Sequence, residues 1–204
     1  MDTLSRRTVL KLLSSVPVSA VFALTEAEAQ QAHHLVQAAR QTAQKTGVAF
    51  KPKFFTSHEY DTVRMLVDLI IPRDERSGSA TDAGVPEFMD FTMIDQPNRQ
   101  TAMRGGLAWL DLECQQRFDK MFLTCTAEQR TAVLDGISGY GPTTDENSHG
   151  VAFFRSFRDL TSSGFWTSKM GIADLGYIGN TVVPEWKGCP DAALSKLGVT
   201  ARAE

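Results

Sequence analysis

Apolar residues recur every three or four positions in several stretches of the chain, which is the spacing of one face of an α-helix. The clearest stretch begins at Thr56, where Thr56 and Glu59 have the spacing of a capping box, in which each side chain accepts a hydrogen bond from a backbone N–H at the helix start. Apolar side chains then continue through Leu66 to Ile70, and Pro72 closes the pattern. The sequence therefore predicts an amphipathic helix between Thr56 and Pro72.

Four further stretches have a helical pattern. They are a short apolar stretch that starts at Pro86, one capped by Asn98 that runs to Met121, one opened by Thr126 and Gln129 that runs to Ile137, and one from Val151 to Leu160 that Gly164 ends. The pair Gly105-Gly106 lies near the start of the second and indicates close backbone packing or a bend. We predict an all-α fold, a single domain of about six helices with an irregular C-terminal segment that is rich in aromatic residues and glycine.

That C-terminal segment begins at Phe165. Aromatic residues alternate there with glycines, in blocks that run from Phe165 to Gly171, from Asp174 to Asn180 and from Pro184 to Pro190, and neither a helical nor a strand period continues. A segment without a regular apolar face needs a surface to lie on. That surface is either the chain's own helices or a partner protein, because large aromatic side chains are enriched at the centres of interfaces. The residues alone favour neither alternative.

The first 29 residues have the layout of an export signal. Arg6 and Arg7 are followed by an uncharged stretch of about 14 residues, from Leu12 to Thr25, and then by the small-residue triplet Ala27-Glu28-Ala29. The order Ser-Arg-Arg-x-apolar-Leu-Lys resembles the twin-arginine signature, which addresses proteins to a route that carries them already folded. We predict a signal peptide over residues 1–29, a polar, partly helical lead-in over 30–53 and a helical domain over 54–204, with a periplasmic location.

Composition excludes some classes of function. The net charge of −3 gives no nucleic-acid footprint, and after the leader no apolar run approaches the roughly 20 residues that a membrane span needs. The chain has three cysteines, an odd number that leaves either one free thiol or a bond to another chain. Cys114 and Cys125 are close enough for a local bridge, although a cysteine on an apolar helix stripe more commonly fills the core.

Candidate catalytic and ligand-binding residues are few. The chain has no Gly-x-Gly-x-x-Gly for a dinucleotide and no Cys-x-x-Cys-His for haem attachment. His33 and His34 are adjacent but lack a third metal ligand at a suitable spacing. His149, beside Ser148 and near Asp145, is the best candidate for acid–base work, but one loop supplies all three, so we interpret His149 as a surface residue. We predict no catalytic, cofactor-binding or metal-binding residue in this chain.

Several short blocks of the sequence, in this order, resemble the gluconate 2-dehydrogenase subunit 3 family, the small or gamma subunit of exported flavin-dependent sugar dehydrogenases. The blocks span about residues 57–190. They are Leu69 to Pro72, Asp82 to Phe88, Gly106 to Leu110, Phe153-Phe154, Phe165 to Gly171, Asp174 to Asn180 and Trp186 to Pro190.

This resemblance implies an accessory subunit without catalytic residues. In the family, FAD is bound by a separate large subunit of the glucose-methanol-choline oxidoreductase type that lacks an export signal, and electrons often pass to a multihaem cytochrome c subunit. The small subunit is thought to help the large one fold and to carry it out through its own leader. Two alternatives remain at this point: a free-standing periplasmic oxidoreductase, and an adaptor that joins the dehydrogenase to a membrane cytochrome without a role in export.

If the partner is such a large subunit, the aromatic and glycine-rich C-terminal segment is the candidate contact surface. We expect the large subunit to contact this segment through aromatic and polar residues, namely Phe165, Trp166, Tyr177, Asn180 and Trp186. Cys189 lies in the same segment between Gly188 and Pro190, and the cysteine count is odd, so we hypothesise that Cys189 forms a disulfide with a cysteine of the large subunit. A free thiol is the alternative.

Overall fold

The computed structural model describes residues 25–139, 143–144, 147–177, 179 and 188–198, and these residues form helices and connecting loops without a β-strand. The nine α-helices in this described part are α1 (Glu26–Thr46), α2 (Ser57–Ile70), α3 (Ala80–Ala83), α4 (Val85–Asp95), α5 (Gln100–Phe118), α6 (Ala127–Asp135), α7 (Ser148–Trp166), α8 (Lys169–Leu175) and α9 (Asp191–Lys196). Two short 3-10 helices, Pro97–Arg99 and Phe122–Thr124, flank α5. The predicted all-α single domain is confirmed. The number of helices is larger than expected because α3, α8 and α9 are too short to produce a periodic pattern.

Side-chain caps start several of these helices. The predicted capping boxes at Thr56 and Thr126 are both present, at the starts of α2 and α6. The predicted cap at Asn98 is wrong: Asn98 lies inside a 3-10 helix, and α5 begins after it, at Gln100, without a side-chain cap. A residue inside a helical turn cannot be the extended N-cap that precedes one, and sequence did not reveal the extra turn.

Helix α7 lies at the centre of the fold and packs against α1, α2, α3, α4, α5 and α8. Phe153, Phe157 and Leu160 face the core along its buried side. Gly106 of α5 lies directly against this helix, since a Cβ on Gly106 would come within 1.8 Å of Cδ2 of Phe153. The close backbone packing that the Gly105-Gly106 pair indicated is therefore confirmed at Gly106.

The prediction that Gly164 ends this helix is wrong, because α7 continues to Trp166. Gly164 is buried, and a Cβ at this position would lie 2.8 Å from Cδ1 of Phe88. The residue is thus a contact point between α7 and α4, where the absence of a side chain admits the Phe88 ring.

The carboxylate of Asp90 joins the extended segment before α2 to helix α4. Asp90 is fully buried, and its two oxygens accept hydrogen bonds from the backbone N–H groups of Lys53 (2.9 Å), Phe54 (2.9 Å) and Phe55 (3.1 Å). These three N–H groups have no helix partner, so one side chain satisfies a whole turn of irregular backbone. The segment is held where Thr56 can start α2.

The predicted polar lead-in contains a long helix, α1, which begins upstream of Gln30 and ends at Thr46. It packs on α4 and α7 of the same chain, and its inward face carries Ala29, Ala32, His33 and Val36. Sequence placed no apolar stripe here because two of these four side chains are alanine and one is histidine. Within the described residues, no helix combines the length and hydrophobicity that crossing a membrane requires.

Candidate functional site

The residues predicted to contact a partner divide into buried, exposed and undescribed groups. Phe165 is fully buried, with its ring in edge-to-face contact with Trp166 at 4.9 Å between centroids. Because its side chain is not accessible to a partner, Phe165 does not belong to the predicted interface. This residue packs on the chain's own helices, which was the other alternative. Trp166 and Tyr177 are exposed, whereas Asn180 and Trp186 lie outside the described residues, as do Arg6 and Arg7 of the export signal.

The exposed aromatic residues lie on either side of α8, together with two aliphatic side chains that the sequence analysis did not identify. The exposed fractions are 37% for Trp166, 38% for Ile172, 60% for Leu175 and 58% for Tyr177. Ile172 and Leu175 are three residues apart on a helix and are therefore neighbours, and the backbone N–H of Tyr177 donates to the carbonyl of Ile172. We call these four residues the α8 surface. Clustered exposed apolar side chains of this kind commonly mark a protein contact.

The base of the α8 surface is rigidly attached to the core. Ser168 caps α8: its hydroxyl accepts from the N–H of Gly171 (3.1 Å) and donates to the carbonyl of Phe165 (2.6 Å). Gly171 sits so close to the end of α7 that an added Cβ would lie 2.1 Å from the carbonyl oxygen of Phe165. The buried residues Phe165, Ser168 and Gly171 therefore fix the turn between α7 and α8.

A charged contact holds the far end of α8. The guanidinium of Arg76, in the loop after α2, donates to the backbone carbonyl of Asp174, and its Nε lies 3.3 Å from Oδ1 of the same residue. Leu175 follows directly. Ile172 and Leu175 thus project from a helix that is fixed at both ends, which lowers the entropy cost of binding a partner.

All three cysteines are free thiols. Cys114 and Cys125 are buried in the core, so of the two alternatives for this pair the structure has core packing and not a local bridge. Burial raises the pKa of the Cys114 thiol to about 12, and a hydrogen bond with Cys125 adds to the effect. A thiol with a raised pKa stays protonated and unreactive at neutral pH. Cys189, in contrast, is exposed, which is compatible with either alternative stated for it.

The best catalytic candidate, His149, lies in the first turn of α7 and is exposed. It lines a cavity of about 250 Å³ between α5 and α7, together with Trp109, Phe153, Ser156 and small residues of α5. No carboxylate is among the described lining residues, and Asp145 lies outside the described part of the chain. The described lining of this cavity is mainly apolar, with one imidazole and one hydroxyl, and it includes no third group that would hold the histidine as a base.

His33 and His34 both lie on α1 but point to different sides of it. His33 is buried, stacks on the ring of Phe88 at 4.9 Å, and its Nε2 is 2.7 Å from the hydroxyl of Thr167, while His34 is exposed. Burial lowers the pKa of His33, which keeps the ring neutral on the apolar face. Across the described residues, no three His, Cys, Asp or Glu side chains are placed to hold a metal ion.

The chain was compared with known proteins in three ways. A family model described as gluconate 2-dehydrogenase subunit 3 matches residues 57–184, more than half of the chain. The match runs from the first residue of α2 to beyond α8, so it includes the described α8 surface, and α1 lies outside it. No significant match was found among the curated proteins or among the solved structures.

Proposed function

The chain belongs to the gluconate 2-dehydrogenase subunit 3 family, and from this premise we propose that it is a non-catalytic small subunit of a periplasmic, FAD-dependent sugar or polyol dehydrogenase of the glucose-methanol-choline type. Its role is to help the catalytic subunit fold, to stabilise it and to carry it through the twin-arginine route with its own leader. FAD is bound by the large subunit, and where the complex includes a multihaem cytochrome c subunit, that subunit takes up the electrons. The family match is the observation that carries this proposal.

The α8 surface is the site where the large subunit binds. Burying apolar area contributes about 25 cal/mol per Å² before the costs of association, and tryptophan and tyrosine are the residue types most enriched among binding hot spots. The α8 surface offers one of each, with two aliphatic side chains beside them. It is followed in the sequence by the segment that includes Asn180, Trp186 and Cys189, the other residues that we expect to contact the large subunit.

Replacing Leu175 by Asp is expected to weaken capture of the large subunit by about tenfold to a hundredfold, because a charge is placed where apolar area would be buried. The measurement is titration of the purified flavoprotein onto the immobilised small subunit. Leu112 is the matched control, since it is an exposed leucine on another helix, α5, and Leu112→Asp adds the same charge. Equal affinities for Leu175→Asp and the parent chain would exclude the α8 surface as the binding site.

Cys189 is the proposed partner of a cysteine on the large subunit. After export its exposed thiol and that cysteine each lose a proton and together give two electrons to a disulfide-donating oxidant, which forms one sulfur–sulfur bond between the chains. On electrophoresis without reductant, the two subunits are expected to migrate as one band that reductant separates and that Cys189→Ser abolishes. A large subunit that migrates separately without reductant would contradict this bond and leave the free-thiol alternative.

A further inference from the structure

The expected cleavage site of the leader lies inside a helix. Helix α1 begins at Glu26, and Thr25 and Glu28 form a capping box at its start: the Thr25 N–H donates to the Glu28 carboxylate (2.7 Å), and the Glu28 N–H donates to the Thr25 hydroxyl (3.3 Å). The triplet Ala27-Glu28-Ala29 therefore forms part of the first turn, and the bond from Ala29 to Gln30 is within continuous helix.

Helical geometry separates the two small side chains that mark the cleavage site. Signal peptidases recognise small residues at alternate positions. Alternate side chains point the same way in an extended chain, but in a helix they point to nearly opposite sides. Ala27 is accordingly exposed, whereas Ala29 faces the core and is only 2% exposed. A peptidase cannot engage both alanines unless this turn of α1 first unfolds.

The first half of α1 is attached to the rest of the chain by polar and apolar contacts. Near its start, the Gln96 amide donates to the Glu28 carboxylate (2.8 Å). One turn later, His33 stacks on Phe88 and is hydrogen-bonded to Thr167. Unfolding the cleavage site therefore breaks contacts to α7 and to the residues around α4, beyond the cost of fraying one helical turn.

The second half of α1 is held at the junction of α3 and α4. Val36 packs against Gly84, where an added Cβ would lie 2.7 Å from Cγ1 of the valine. The Arg40 guanidinium donates to the backbone carbonyls of Thr81 (2.6 Å) and Asp82 (2.6 Å) and lies 3.3 Å from the Glu87 carboxylate. These contacts join Arg40 to two backbone carbonyls and one carboxylate of the α3–α4 region, so α1 is an integral element of the folded domain.

The attachment of α1 affects cleavage of the leader if the chain folds before it meets the peptidase. On a route that exports folded proteins, α1 is already docked when the chain meets signal peptidase, which acts on the outer side of the membrane. A peptidase then cleaves only the fraction of molecules in which the site is open. We propose that docked α1 protects the Ala29–Gln30 bond, so that the exported protein retains an unbroken chain from Thr25 onward. This inference rests on the export that the proposed function includes.

The inference is tested by incubating the purified full-length chain with signal peptidase in detergent micelles and following the fragment that starts at Gln30 by mass spectrometry. Val36→Asp undocks the buried face of α1, and its matched control is Leu35→Asp on the adjacent exposed position; neither changes residues 27–30. We expect little cleavage of the parent chain and of Leu35→Asp, and cleavage of Val36→Asp that is at least about tenfold faster. Arg40→Ala, which removes only the contacts to the α3–α4 region, should give an intermediate rate.

Two results would overturn the inference. Equal cleavage of the parent chain and Val36→Asp would show that docking does not protect the bond. Absence of cleavage in Val36→Asp, whether it is folded or unfolded, would show that the site resists the peptidase for another reason. In cells, an exported chain whose intact mass corresponds to a start at Gln30 would also contradict the inference. A chain found only in the cytoplasm would contradict the proposed export. The assay with purified peptidase would then decide whether α1 protects the bond.

Discussion

Asp90→Ala is expected to lower the free energy of unfolding by about 3–5 kcal/mol, the largest stability effect that we anticipate for a single substitution in this chain. The carboxylate accepts three hydrogen bonds from Lys53, Phe54 and Phe55, and two of these three residues are themselves buried. Each buried N–H that loses its acceptor costs about 1–3 kcal/mol. No water can easily replace the carboxylate, because Asp90 has no exposed surface.

Urea unfolding of the purified chain measures this effect, with Asp95→Ala as the control because Asp95 is an exposed aspartate near the end of the same helix, α4. Asp90→Asn should fall between the two: one amide oxygen still accepts, whereas the NH2 group opposes the N–H of one of the three residues. If Asp90→Ala and Asp95→Ala unfold within about 0.5 kcal/mol of each other, the carboxylate does not hold the segment before α2.

Changing Arg6 and Arg7 together to lysine is expected to leave nearly all of the flavoprotein in the cytoplasm, although the flavoprotein itself is unaltered. Lysine keeps the charge but not the planar guanidinium, so a receptor that reads the arginine pair is not satisfied by charge alone. The effect on the large subunit follows only if that subunit travels bound to this chain. The double substitution in the small chain is therefore expected to remove the large subunit, and its dehydrogenase activity, from the periplasm as well.

Dehydrogenase activity in separated periplasmic and cytoplasmic fractions, measured with an artificial electron acceptor, reports the location of the large subunit. Asp2→Asn is the control, since it alters charge in the leader without touching the arginine pair. If the double lysine variant still exports the flavoprotein, the chain does not carry it, and the adaptor without a role in export becomes the better account.

Sequence predicted those parts of the fold that depend on local interactions. The capping boxes at Thr56 and Thr126 were identified because both partners are three residues apart and act within one turn. Helix α8 escaped prediction because it has only seven residues and is stabilised by a contact with a distant part of the chain, that of Arg76 with Asp174. Helix α1 was underestimated for a similar reason, since its small inward side chains matter only where α4 and α7 provide a surface for them.

Sequence placed the candidate interface in the segment after Phe165, but it did not distinguish the buried residues of that segment from the exposed ones. Phe165 and Trp166 are adjacent and chemically similar, yet the first is buried and the second is exposed, because successive side chains of a helix point about 100° apart. Composition alone cannot distinguish them, since tertiary contacts decide which side faces the core. Ile172 and Leu175 were missed because their spacing has meaning only once the segment is known to be helical.

The association of this chain with the flavoprotein is measured by purifying the chain, with an affinity tag at its C-terminus, from cells that make both proteins. We expect a large polypeptide to co-purify in equimolar amount and the complex to have the absorption spectrum of bound flavin. The small chain separated from the complex should have no such spectrum. Recovery of the small chain alone from such cells would contradict the proposed complex. A flavin or haem spectrum that stays with the isolated small chain would favour a free-standing oxidoreductase instead.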